Sequence, residues 1–223
     1  MQRLFIVCLL LIFFSCKERA ERKNVVTTGN VDTVSTVEDI TVAVSELLPS
    51  PNAFQLKQAQ KWYDAAGENW LVLYETGPYI EKGNAFSTAK ISAVLFLKTD
   101  SGFVQQWSMT DELVNCKQEP LCIFYPNHLS ITDLDHDALA EITFVYVMGC
   151  KANGMPLEKK LLLYEGKQNY TLTGEEEMVV QEDTIGGLIL NDSGFEKSPA
   201  PFLDFARKHW SRFGTITQTD KRQ

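Results

Sequence analysis

The chain has 223 residues, 44% of them hydrophobic, 22% charged and 11% aromatic. These proportions exclude a disordered, collagen-like or wholly membrane-embedded chain and leave room for a compact domain with a real core. The 29 acids outnumber the 21 Lys and Arg, for a formal charge of -8, which speaks against a nucleic-acid partner.

The N-terminus reads MQRLFIVCLLLIFFSC. Arg3 supplies a positive start, and Leu4 to Phe14 form an apolar run of 11 residues. A membrane helix needs roughly 20, so residues 1–15 read as a secretory signal and not as a span. Ser15-Cys16, followed at once by Lys17-Glu18, resembles the lipobox of bacterial lipoproteins, although Phe13 and Phe14 are bulkier than usual for that motif. The resemblance implies acylation of the Cys16 thiol, cleavage before Cys16 and acylation of the new amino group. Several acyl chains on one residue anchor a protein stably, where a single chain is marginal. Lys17 stands where an Asp would signal inner-membrane retention. The resemblance therefore points to the outer membrane, on its periplasmic face or at the cell surface.

Losing residues 1–15 removes only Arg3 among the charges and leaves 20 bases against 29 acids. The segment KERAERK (17–23) is locally basic and suited to anionic headgroups. Residues 16–38 then turn rich in Val, Thr, Ser and Asn without apolar periodicity and read as a lipidated tether. As a flexible coil it would reach roughly 25 Å.

Residues 39–223 read as a single β-rich domain. Strand-like runs occur at 40–47, 69–76, 89–98, 103–109, 129–132, 141–148, 159–166 and 169–174, separated by Gly, Asn, Asp and Ser clusters. One helix is expected at 199–213, with Ser198 as its N-cap and Pro199 at the first helical position. Phe202, Phe205, Ala206, Trp210 and Phe213 share one face of it, and His209 falls within that arc. The expected fold is mainly β with one C-terminal helix packed on two antiparallel sheets.

Chemistry concentrates in ITDLDHDALAEITF (131–144). Asp133, Asp135, Asp137 and Glu141 occupy positions 1, 3, 5 and 9 of a loop between two strand-like runs. Alternate oxygens of a tight loop converge on one point, as a hard cation such as Ca²⁺ requires, and the Leu139 carbonyl would serve position 7. The motif resembles the calcium loop of FG-GAP and VCBS-type repeats. It differs from an EF-hand, which needs Glu at position 12 where this chain has Phe144. The resemblance implies that the four acids are side-chain ligands of a structural calcium ion. Position 6 is usually Gly, and here it is Ala138.

The acidic loop has a faint echo upstream. Asp64 precedes Asp133 by 69 residues, and Val94-Leu95-Phe96 precedes Leu163-Tyr164-Glu165 by the same interval. In both halves an acidic turn leads into a hydrophobic strand and then further strands, the order of FG-GAP blades. Two diverged blade-like units would fit. Two cannot close a propeller, so packed sheets are expected.

Cys8 lies in the signal and Cys16 takes lipid, leaving Cys116, Cys122 and Cys150 for one disulfide and one free thiol. A hairpin across the acidic loop would bring Cys150 near residues 116–122. The pairing is then Cys150 with Cys116 or Cys122, and a local Cys116–Cys122 bridge is the rival.

There is no GxSxG, HExxH, P-loop or dinucleotide fingerprint. Glu175-Glu176-Glu177 read as a solvated turn, and Trp62, Trp70 and Trp107 as core. No catalytic residue is assigned.

Over most of the chain after Cys16 the pattern resembles a family of Gram-negative lipoproteins labelled surface polysaccharide biosynthesis proteins. The carrying residues are Ile131 to Asp135, Ala140-Glu141, Cys150, Lys160 to Gly166, and Phe202 to Trp210. The resemblance implies a role in envelope glycan production or export. The expected function is a non-enzymatic, lipid-anchored module with a glycan or an envelope assembly protein as partner. The alternative is an envelope glycan hydrolase working through a carboxylate pair.

Overall fold

A computed structural model of the chain describes residues 36–47, 54–151, 155–180 and 182–214. The signal, Cys16 and nearly all of the expected tether lie outside them. No helix among the described residues is long and apolar enough to cross a membrane.

The elements run β1 (Glu38–Asp39), α1 (Thr41–Leu47), β2 (Gln55–Asp64), β3 (Gly67–Glu75), β4 (Ser87–Thr99) and β5 (Gly102–Cys116). There follow β6 (Pro120–Phe124), β7 (Ser130–Thr132), β8 (Glu141–Cys150), β9 (Glu158–Glu165) and β10 (Gln168–Glu175). Last come β11 (Glu177–Val180), β12 (Asp183–Gly186), β13 (Ile189–Asn191) and α2 (Ala200–Trp210). The first sheet is antiparallel in the order β1-β2-β3-β4-β5. The second runs β13-β10-β9-β8-β6, with β7 also pairing β8, and β11 and β12 make a separate hairpin. Neither sheet closes into a barrel. Each contains a meander of consecutive strands, β2 to β5 in one and β7 to β10 in the other.

Strand alternation explains the layering. In β3, Leu71 and Leu73 face the second sheet while Trp70, Val72 and Tyr74 face α1. In β8, Ile142, Phe144, Tyr146 and Met148 meet the first sheet, and Val145 and Val147 meet α2. Both strands are covered on both faces, so they read in sequence as near-continuous apolar runs. Burying each large side chain contributes about 1.5–3 kcal/mol. The order α1, first sheet, second sheet, α2 therefore forms three apolar layers. All three lie within residues Val31–Gln223, which make one compact unit. That unit carries the core needed to fold by itself.

Polar ties cross between the sheets as well. Buried Glu75 accepts the Phe124 N–H at 2.8 Å and pairs with Lys57 at 3.2 Å. Asp111 accepts the Tyr146 hydroxyl and Lys160, each at 2.8 Å. The disulfide joins Cys116, at the end of β5, to Cys150, at the end of β8, with Cα atoms 5.6 Å apart. Of the open pairings it is the one with Cys116 that forms. Cys122 remains a buried free thiol, and burial pushes it up to about 12.

Three expectations are corrected. Residues 41–47 form a helix and not a strand. The Asp39 carboxylate accepts the Thr41 N–H at 2.9 Å, and Ile40 and Val44 fall one helical turn apart on the buried face while Val42 is exposed. The β-branched content concealed that four-residue spacing. Second, Ser198 does not cap α2. Pro199 is the N-cap residue, and the Ser198 hydroxyl donates backwards to the Phe195 carbonyl. The helical face itself is as expected, with Phe202, Ala206 and Trp210 buried. Third, Glu176 is not solvated. It is buried, and its carboxylate accepts the Leu157 N–H at 3.3 Å.

Candidate metal centre

The acidic loop is the connection between β7 and β8, which lie side by side and antiparallel, with Thr132 opposite Glu141. That pairing closes the neck of the loop and brings position 1 back beside position 9. Asp133, Asp135, Asp137 and Glu141 each offer one oxygen in a group whose members all lie within 4.8 Å of one another. The cluster can hold a metal ion.

Glu141 is the anchor. It is fully buried as the first residue of β8, and its Oε2 accepts the Leu134 N–H at 2.7 Å and the Thr132 hydroxyl at 3.3 Å. Its Oε1 is buried without a hydrogen-bond partner, and so are one oxygen of Asp133 and one of Asp135. Three buried carboxylate oxygens left without donors are costly in an apolar setting, and a cation is the group that would satisfy them together. Burial pushes Glu141 up to about 8, with the charges of Asp135 and Asp133 adding to the rise. Asp137 is more exposed, and its Oδ1 accepts the Leu139 N–H at 2.8 Å in an Asx turn. Leu139 is half-buried. His136 is exposed.

Two loop residues other than glycine sit in the left-handed region: His136 at φ 63° and Ala138 at φ 71°. The turn at position 6 is thus retained with alanine in place of the usual glycine. A left-handed alanine costs about 1 kcal/mol or more. Ala138→Gly is therefore expected to raise the stability of the domain by roughly 1 kcal/mol, read as a higher urea midpoint at unchanged slope.

Asp64 braces the acidic loop from the neighbouring turn, a role that no motif assigns. Its carboxylate accepts Trp62 Nε1 at 3.0 Å and the Ala66 N–H at 2.8 Å within its own turn, and the Ala140 N–H at 3.3 Å across to the acidic loop. Alongside, the Ala65 N–H donates to the Ala138 carbonyl at 2.8 Å. The β2–β3 turn thus grips the loop backbone at positions 6 and 8. The 69-residue offset between Asp64 and Asp133 was the one signal for it.

A second concentration of titratable groups lies in a polar cleft lined by Asp39, Lys57, Glu75 and His128. Burial raises Glu75 and holds His128 down to about 3, so His128 is neutral. Both carboxylate oxygens of Glu75 are already engaged, as described above. Trp62 and Trp70 are core residues, and Trp107 stacks on Tyr164 with ring centres 4.2 Å apart.

No family model matches the chain, and no curated protein or solved structure matches it significantly.

Proposed function

We propose that the chain is a lipid-anchored envelope protein, held at the outer membrane through Cys16. Its β-domain is a non-enzymatic binding or assembly module built around a structural calcium ion and acting with surface polysaccharide. The observation that carries the calcium assignment is the size of the carboxylate cluster. Oxygens bound to Ca²⁺ at about 2.3–2.6 Å can stand at most about 5 Å apart, whereas Mg²⁺ at about 2.0–2.1 Å caps that separation near 4 Å. The four offered oxygens all lie within 4.8 Å of one another, inside the span that Ca²⁺ allows. The Leu139 carbonyl completes the set at position 7. Extracellular calcium modules bind in the range of about 10⁻⁴–10⁻³ M, which suits an ion that is structural and permanently present outside the cell.

The anchor and the glycan connection rest on the lipobox and on the Gram-negative family resemblance. Labelled palmitate should enter the full chain in a Gram-negative host and fail to enter Cys16→Ala. In millimolar calcium the domain should be retained on immobilised envelope polysaccharide, and Asp135→Ala should release it. Retention that is indifferent to both calcium and Asp135, or no retention on any envelope glycan, overturns the binding-module reading. The hydrolase alternative draws on the two acids that share the polar cleft, Asp39 and Glu75. That reading requires reducing ends to appear from an envelope glycan and to vanish in Glu75→Gln.

A further inference from the structure

A cavity of about 270 Å³ opens between the two sheets beside the acidic loop. Trp62, Leu95 and Ile142, all buried, form its floor, and Leu139 and Ala140 of the loop form one wall. Its mouth is made by small or turn residues, Ala66 from the β2–β3 turn and Gly166-Lys167 from the β9–β10 turn, all exposed. It is therefore an apolar recess with an open entrance, not a sealed packing defect. A cavity of about 150 Å³ lined by aliphatic side chains stays dry and takes benzene. By that scale this recess has room for about ten heavy atoms.

The polar groups at the entrance select the head of the ligand. Asn69 and Gln106 already spend one amide N–H each on the backbone, on Gly67 and Val104 respectively, which leaves each with its amide oxygen as acceptor and one further N–H. Lys167 pairs with no acid among the described residues and brings donors. A group that both donates and accepts, a hydroxyl, matches that combination. A carboxylate does not, because the Asp64 carboxylate lines the same recess and would repel it. We propose that this inter-sheet recess binds a small neutral amphipathic molecule, an alcohol or phenol of about ten heavy atoms, with its apolar body against Leu95 and Ile142 and its hydroxyl between Lys167 and the amides. This site is separate from the glycan reading and does not depend on it.

The test is calorimetric titration of 1-octanol into the domain (residues 24–223, which contain the whole compact unit) in calcium-containing buffer, with octanoate as comparison. Saturable one-to-one binding of 1-octanol is expected, with octanoate weaker by at least about 3-fold. Ala66→Trp puts an indole over the mouth from an exposed turn. It should weaken binding by at least about 10-fold, the scale of one well-placed contact, with an unchanged melting temperature. Lys167→Ala should weaken 1-octanol by a few-fold, as expected for one exposed hydrogen bond. Non-saturating uptake, or equal affinity in Ala66→Trp, overturns the proposal. If Ala66→Trp melts lower, the Leu95 and Ile142 methyl resonances of the unsubstituted domain decide. Shifts confined to them on adding 1-octanol support the site, and their absence overturns it.

Discussion

Glu141→Gln is expected to stabilise the domain in chelator near neutral pH and to destabilise it in calcium. The reversal follows from the charge that Glu141 must carry. An unfolded carboxyl ionises near its ordinary 4.5, whereas the folded, cation-free site holds the Glu141 proton up to about 8. Between these values the folded state retains a proton that the unfolded state has released. Stability then falls as pH rises through that window, by a few kcal/mol at most across the whole of it. Glutamine keeps an oxygen for the Leu134 N–H and carries no charge, so the slope should flatten in the variant. With calcium present the ionised form is the ligand and glutamine is the poorer one, so the order of stabilities inverts. Urea unfolding at several values between about pH 5 and about pH 8, with and without chelator, measures both halves. A variant weakened equally in the two conditions would mean that Glu141 is only a structural acceptor.

Cys150→Ser is the second large effect. The Cys116–Cys150 bridge closes a separation of 34 residues and ties the last residue of β5 in one sheet to the last residue of β8 in the other. A crosslink over a loop of that length contributes about 3–4 kcal/mol by restricting the unfolded chain, within a usual range of about 2–5. The variant should lose that amount in oxidising buffer, and reductant should bring the unsubstituted domain down to the same urea midpoint. Cys122 cannot take over as partner. It is buried, with its thiol pushed up to about 12, so the thiolate that exchange requires is scarce. Identical midpoints for the domain and the variant in oxidising buffer would show that the bridge does not form in solution.

The fold was legible where strands alternate between two buried faces or carry long apolar runs, as in β3, β4, β8 and β9. It was not legible in β2, whose QLKQAQKWYD is polar because only Ala59 and Trp62 are buried. The short elements β6 and β11 to β13 gave no periodic signal over so few residues. In α1 the β-branched residues outweighed a single four-residue spacing.

The metal cluster could be read because its ligands are consecutive in sequence and alternate in position. Asp64 could not, because its role is a contact across 76 residues with a backbone N–H, and no local motif records such a contact. The hairpin offers Cys150 two partners and leaves a local Cys116–Cys122 bridge open, and the choice of Cys116 depends on β5 extending to that residue, seven beyond the expected strand end at 109. The burial of Glu176 was not legible because a run of three acids reads as solvated, while the backbone donor that draws its middle member inward comes from Leu157 on another segment.

The direct test of the calcium centre is a thermal melt of residues 24–223 in millimolar calcium and in chelator, with Asp135→Ala alongside. Calcium should raise the midpoint of the unsubstituted domain by several degrees, since a ligand held by the folded state alone stabilises it by RT ln(1 + [Ca²⁺]/Kd). Asp135→Ala should melt at one temperature in both buffers. Superimposable melts of the unsubstituted domain with and without calcium would contradict the account, leaving the loop an acidic turn held by Asx hydrogen bonds with no ion at its centre.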